Sequence, residues 1–124
     1  MSNITNNFLI NNYQSVWPLD HDDGSCYYHD TENLLVYGGY KTYIGDHKVV
    51  EDNLYIYPDG STHQFGQVSC ANYDSAGLGE EWKGNRCVMA SGADTYSNFG
   101  CDSSDPMTKP FAANNAFFTP NAEW

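Results

Sequence analysis

The chain has 124 residues, which is enough for one domain of ordinary size. Its 16 acidic and 5 basic residues give a formal net charge of −11, and this excess of negative charge disfavours nucleic acid and anionic membranes as partners. A polysaccharide or other glycan, a cation or a basic protein is a better match. Aromatic residues make up 15% of the chain, which favours an ordered protein over a disordered one.

The first residues contain the glycosylation sequon Asn3-Ile4-Thr5. They have neither the basic start nor the apolar run of a signal peptide. No apolar run approaches the length of a membrane-spanning helix, so membrane insertion is not predicted. Because the cysteines described below favour export, we expect the chain to be part of a longer secreted protein.

A repeat begins at Asn7, where an asparagine precedes a short run of β-forming residues, and the same arrangement recurs four more times. Such spacings are typical of repeat proteins, whose stacked units build one shared core. The repeats are separated by 26, 20, 32 and 30 residues and begin at Asn7, Asn33, Asn53, Asn85 and Asn115.

The repeat predicts an all-β fold, namely a parallel β-helix fragment of about five short coils, and the alternative is a sandwich or lectin-like domain. Asparagine suits the turn before each strand, because it tolerates left-handed backbone angles and can form hydrogen-bonded ladders between coils. Alternation along the strands predicts that Arg86 points outward. The residues predicted to face the core are Leu9, Leu35, Tyr55, Cys87 and Phe117.

The segment WPLDHDDGSCYYHD, residues 17–30, concentrates acidic, histidine and aromatic residues. One interpretation is a catalytic site on a polysaccharide, in which the crowded carboxylates of Asp20, Asp22 and Asp23 raise one another's pKa. His21 would be the general acid or base. Lys41, about one coil further along, would complete the catalytic set.

Two other interpretations of the same segment remain open. Asp20, Asp22 and Asp23, followed by Gly24, offer hard oxygen ligands for calcium, although the spacing is not that of an EF-hand. The segment is equally explained as a polar turn. In an extended strand, Asp20 and Asp22 would share one face, and His21 and Asp23 the other.

Aromatic residues near this cluster are candidates for stacking on a sugar ring. They are Trp17, Tyr27 and Tyr28 within the segment, and Tyr40 in the run YGGYK beside Lys41.

The four cysteines allow three pairings. The preferred pair is Cys70 with Cys87, which leaves Cys26 with Cys101. Even, widely spaced cysteines favour an oxidising compartment, and four free thiols in a cytosolic protein are the alternative.

The composition divides the single domain 1–124 into two parts. Residues 1–60 have the regular coil pattern. Residues 61–124 are richer in glycine and serine and contain three of the cysteines, which predicts longer, disulfide-bearing loops on fewer strands.

The strings WPLDHDDGS, DTENLLVYGGYKTYIG and NLYIYPD resemble the C-terminal part of secreted eukaryotic right-handed parallel β-helix proteins of the pectin-lyase-like superfamily. The resemblance extends over most of the chain and is densest from Trp17 to Asp59. It implies a right-handed solenoid with further coils before Asn7 and an extracellular, glycan-related setting. It assigns no catalytic residue here.

The sequence therefore predicts an extracellular β-helix protein that binds polysaccharide or acts on it as a lyase, hydrolase or epimerase. The alternative is a non-enzymatic subunit of an extracellular filament or wall, which would associate with other copies through the open edge of its coils. No cofactor is required by either function, and calcium is the one ion that the residues suggest.

Overall fold

The computed structural model describes residues 1–10, 18–21, 24–42, 45–57, 71–73, 80–88 and 111–118. Of residues 41, 42, 71–73, 111, 112 and 117 it describes the backbone only. The described residues contain strands and turns and no helix, so the prediction of an all-β protein is confirmed.

In the described part of the chain, thirteen short strands form three sheets in which every pairing is parallel. In spatial order, the first sheet, called sheet A, contains β1 (Ser2–Thr5), β4 (Tyr28–Thr31), β7 (Val49–Glu51), β10 (Glu81–Lys83) and β12 (Phe111–Ala113). Sheet B contains β2 (Phe8–Ile10), β5 (Leu34–Val36), β8 (Leu54–Ile56), β11 (Arg86–Val88) and β13 (Ala116–Phe118). Sheet C contains β3 (Leu19–His21), β6 (Tyr40–Thr42) and β9 (Ala71–Tyr73). The chain visits sheets A, B and C in the same order in its first three repeats.

A two-residue turn joins each strand of sheet A to the next strand of sheet B. Its second residue is the repeat asparagine, and the residue before that asparagine has the left-handed backbone. The repeat asparagines lie in the turn before each sheet B strand, as predicted, but the left-handed angles belong to the residue before each of them. The left-handed residues are Asn6, Glu32, Asp52, Gly84 and Asn114, with φ between 54° and 64°.

The five repeat asparagines form a continuous hydrogen-bonded ladder, as predicted. Each amide nitrogen donates to the Oδ1 of the next asparagine, with N···O distances of 3.0 to 3.1 Å. The same Oδ1 also accepts the backbone N–H of the preceding asparagine. The ladder fixes the register of the coils because every turn is bonded to the turns above and below it.

Side chains in the middle of four sheet B strands, β2, β5, β8 and β11, face the interior, as predicted. Leu35, Tyr55 and Cys87 are completely buried, and Leu9 packs partly buried against the same core. Arg86 is exposed. The side chain of Phe117 lies outside the described set.

The interior is unusually polar for a core of this size. Its apolar part includes Trp82, Val50 and Leu19, while Asp30, Lys48 and Glu80 are also buried. Buried charged groups must be paired or hydrogen-bonded to be tolerated. The contacts of these groups therefore determine what the predicted cluster can do.

Candidate functional site

The predicted catalytic cluster is divided between the two faces of β3. Asp20 is exposed, while His21 on the next position is only 4% exposed. This confirms that the two side chains point in opposite directions. Trp17, Asp22 and Asp23 lie outside the described residues, so their predicted roles stay predictions.

His21 is held inside the protein by Asp30, at the centre of β4. Its Nε2 lies 2.6 Å from Asp30 Oδ2, the distance of a strong charge-assisted hydrogen bond. Both side chains are enclosed, with 6% and 0% of the side chain exposed. The pair ties sheet C to sheet A across the interior, and in this conformation Nε2 is occupied and covered rather than open to a substrate.

Tyr40 is a core residue rather than a surface for sugar stacking, so that prediction is wrong. Its side chain is completely buried, and its ring packs edge-on against Trp82, with 4.8 Å between ring centroids. The prediction failed because the first residue of β6 faces inward. Burial raises the pKa of Tyr40 well above its ordinary value, and the nearby Asp30 and Glu80 carboxylates raise it further.

The two tyrosines after Cys26 occupy different environments. Tyr28 is half-buried and its ring lies 4.1 Å from the ring of His21, so it covers the His21–Asp30 pair. Tyr27 is 53% exposed and stacks on the exposed ring of His47, at 5.2 Å and an interplanar angle of 14°. Of the predicted stacking residues, Tyr27 is thus the one that the structure places on the surface with an open aromatic platform.

Lys41 was predicted to lie one coil from the cluster, and its backbone does so. β3 and β6 are paired in register, with Asp20 opposite Lys41. Residues in register on neighbouring parallel strands share a face of the sheet. Lys41 and Asp20 therefore occupy matching positions, on the opposite face from His21.

The calcium prediction is not resolved by the described residues. They contain no group of three or more histidine, cysteine, aspartate or glutamate side chains that could hold a metal ion. Two of the three predicted ligands, Asp22 and Asp23, lie outside the described ranges. The site stays a prediction.

A buried ion pair that the sequence analysis missed joins two repeats. Lys48 Nζ lies 3.2 Å from Glu80 Oε1, and each side chain is 1% exposed. Lys48 stands five residues before Asn53, and Glu80 five residues before Asn85. Aligning the repeats on their asparagines would have placed the two opposite charges on neighbouring coils.

The outer face of sheet A is mostly polar and carries two ion pairs between described residues. His29 Nε2 lies 2.7 Å from Glu51 Oε1, and both side chains are about one-third exposed. Lys83 pairs with Glu81 on β10. That hydrogen bond to Glu81 is the main reason why the pKa of Lys83 is raised.

The predicted pairing of Cys26 with Cys101 is wrong, because Cys26 is a free, exposed thiol. Its Sγ donates to the Gly24 carbonyl oxygen at 3.0 Å. Cys87 is disulfide-bonded. Its partner lies outside the described residues, so Cys70 with Cys87 stays a prediction. Asn3 is exposed on β1, but its glycosylation is untested.

Comparison with known protein families, curated proteins and solved structures finds no match to this chain. The resemblance to pectin-lyase-like proteins therefore stays a prediction. Within the described residues, no helix is long and apolar enough to cross a membrane.

Proposed function

We propose that the chain is a segment of a right-handed parallel β-helix and serves as a structural subunit, which assembles head to tail with a second copy through its end coils. The observation that carries the proposal is the asparagine ladder, whose two ends have complementary hydrogen-bonding groups.

The right-handed sense follows from a general rule of chain connectivity. All strand pairings are parallel, and consecutive strands within each sheet are joined by crossovers through other sheets. About 98% of such crossovers are right-handed. Successive coils of one hand would generate a solenoid, in which each coil can stack on the next.

Asn7 is the first rung of the ladder among the described residues. It donates to Asn33 Oδ1 through its backbone and its amide, while its own Oδ1 accepts no hydrogen bond from a described residue. At the other end, Asn115 accepts from Asn85, and no later rung among the described residues receives its backbone N–H. Placing Asn115 of one copy above Asn7 of another would continue the ladder with unchanged geometry.

The edge strand β1 offers further groups for this contact. The backbone N–H groups of Ser2 and Asn6 donate to the carbonyl oxygens of Tyr27, just before β4, and of Thr31, the last residue of β4. In a parallel pair, alternate residues of a strand form hydrogen bonds to opposite neighbours. The backbone N–H groups of Asn3 and Thr5 therefore point away from β4. Such an unpaired edge is a template for another strand.

The proposal is tested by blocking this edge without disturbing β1. Thr5→Pro removes an outward N–H, and proline is tolerated at an edge because no internal backbone hydrogen bond is lost. The exposed hydrogen bond from Asn6 to the Thr5 hydroxyl is lost in Thr5→Pro and in the control alike. Thr5→Val is the matched control that keeps the N–H. In sedimentation velocity, the parent and Thr5→Val should form open-ended assemblies that lengthen as concentration rises, while Thr5→Pro should form nothing larger than a dimer. A parent chain that stays monomeric at every concentration, or identical behaviour of Thr5→Pro, would contradict the proposal.

A second candidate function, binding of polysaccharide, is favoured by the exposed Tyr27–His47 ring pair. Flat aromatic faces bury the apolar side of a sugar ring. Tyr27→Ala should reduce retention on insoluble neutral and uronic-acid polysaccharides, measured with calcium and with chelator. Tyr57→Ala, which removes another exposed tyrosine, should not. Equal retention of both variants would remove this candidate.

Either function suits an extracellular location. The disulfide at Cys87 supports this, because structural disulfides persist in oxidising compartments.

A further inference from the structure

The outer face of sheet B is apolar, in contrast with the outer face of sheet A. Two rows of side chains cross all five strands, one from the first and one from the last residue of each strand. Nine of the ten positions are apolar, and Arg86 is the exception. Phe8 and Ile10 are 62% and 64% exposed, and Phe118 is 39% exposed.

The chain has a net charge of −11, yet these ten positions contain no acidic residue. The exposed apolar residues lie on the two outermost strands, and the apolar residues between them are partly exposed. A continuous apolar surface of this kind marks a contact surface. A second copy of a strongly acidic chain can approach closely only through a face that is free of negative charge. The outer face of sheet B is such a face.

We propose that two copies of the chain pack through the outer faces of sheet B, related by a two-fold axis parallel to the strands. Such an axis keeps the strands of the two copies parallel and reverses their order across the sheet. Strand β8 of one copy therefore lies over β8 of the other, β5 over β11, and β2 over β13. Aligned sheets pack face to face about 10 Å apart with a rotation of about 30°.

This arrangement is complementary in size. The large Phe8 of one copy meets the small Ala116 of the other. At the centre, Leu54 meets its own counterpart. A two-fold contact of this kind is isologous, so every match occurs twice.

The arrangement also brings one pair of opposite charges together, while the exposed Asp52 on the rim before β8 lies near its own counterpart. Arg86 begins β11, which lies over β5 of the second copy. Glu32, exposed and left-handed at φ 56°, lies two residues before β5 and forms the rim of the face at that point. The one cation of the face thus lies opposite an acidic residue of the other copy, and the pair occurs twice in the dimer.

The test uses the Thr5→Pro background, in which head-to-tail assembly is blocked, so the two contacts can fail independently. Sedimentation equilibrium should still detect a dimer. Arg86→Glu, which places like charges together, should raise the dissociation constant at least tenfold, and adding Glu32→Arg should recover most of that loss. Leu54→Lys should abolish the dimer.

Three results would overturn the inference. The first is a Thr5→Pro chain that is monomeric at all concentrations. The second is a dimer that is indifferent to Arg86→Glu and Leu54→Lys. The third is a Leu54→Lys monomer that unfolds at a much lower denaturant concentration than the parent monomer, because that would place a segment of the same chain on this face.

Discussion

At the scale of the residue, the ladder asparagines stabilise the turns through both of their polar atoms. Asn53 is 1% exposed, and its Oδ1 accepts from the Asn33 backbone and amide, while its Nδ2 donates to Asn85 Oδ1 and to the Asp30 carbonyl oxygen. Removing it leaves several buried donors and acceptors without partners, and each such group costs about 1–3 kcal/mol.

Asn53→Ala is therefore expected to lower the free energy of unfolding by about 3 kcal/mol or more. Asn7→Ala is the matched control, because Asn7 occupies the same ladder position at its exposed end and should cost less than about 1 kcal/mol. Urea unfolding measures both. Equal losses for the two variants would mean that the buried ladder bonds do not stabilise the fold.

Two glycines with left-handed backbone angles, Gly45 and Gly84, differ in the group that an added Cβ would contact. A Cβ on Gly45 would overlap the backbone carbonyl of Ser25, whereas a Cβ on Gly84 would overlap the side-chain carboxylate of Asp52, which can rotate away. Gly84→Ala should cost about 1–2 kcal/mol, which is the left-handed penalty itself. Gly45→Ala should cost distinctly more, because the backbone around Ser25 must move. Thermal or urea unfolding that ranks the two in the opposite order would contradict this explanation.

At the scale of the element, opposite charges on neighbouring coils connect sheet strands inside the core. Lys48→Met leaves Glu80 buried without its lysine, and breaking a buried pair in this way costs about 3–5 kcal/mol. The double variant Lys48→Met/Glu80→Leu should regain most of that loss. Lys83→Met, which removes the partly exposed partner of Glu81, should cost far less, because water screens an exposed ion pair. A double variant as unstable as Lys48→Met would show that the residues stabilise by something other than their pairing.

The interior tyrosines predict a dependence of stability on pH. Burial raises the pKa of Tyr55 far above 10.0 and, together with the neighbouring carboxylates, that of Tyr40 as well. Both phenols are protonated in the folded and unfolded chains below pH 10. Above about pH 10 the unfolded chain alone releases these protons, so each tyrosine should reduce stability by about 1.4 kcal/mol per pH unit.

The loss of stability above pH 10 is measured as the change in the urea concentration at the unfolding midpoint between pH 8 and pH 11. Tyr55→Phe should lessen the fall above pH 10, while Tyr37→Phe, which removes an exposed phenol, should leave the fall unchanged. A parent chain whose midpoint does not fall above pH 10 would be inconsistent with buried, protonated tyrosines.

At the scale of the whole molecule, the regular part of the fold was predictable because one residue marks every coil. Asn7, Asn33, Asn53, Asn85 and Asn115 locate the sheet B strands, and alternation within each strand places its core residue. The strands of sheet A were not predicted, although they precede the same asparagines. They vary from VVE to EWK to FAA, so no shared pattern identifies them.

The candidate site was harder to predict for a physical reason. A cluster of polar residues in sequence does not tell which of them face inward, and β3 sends Asp20 outward and His21 toward Asp30. Tyr40 was assigned to the surface because tyrosine suits half-wet positions, but its ring packs against Trp82. Lys48 and Glu80 were overlooked because charged residues are seldom buried.

The most direct test of head-to-tail assembly is a cross-link between the two ends of different copies. Thr5 and Ala113 occupy the same outward row of sheet A, at its first and last strands. Stacked copies would bring them to neighbouring strands about 4.8 Å apart, within the Cα range of a disulfide. Cysteine at either position is introduced into a Cys26→Ser background, and the two preparations are mixed under mild oxidation.

Head-to-tail assembly predicts a covalent heterodimer of the Thr5→Cys and Ala113→Cys chains. Thr31→Cys, at an interior position of the same row, should give no such product with Thr5→Cys. A yield from the Thr5 and Ala113 pair that is no higher than this control would contradict the proposal that the open ends of the ladder join.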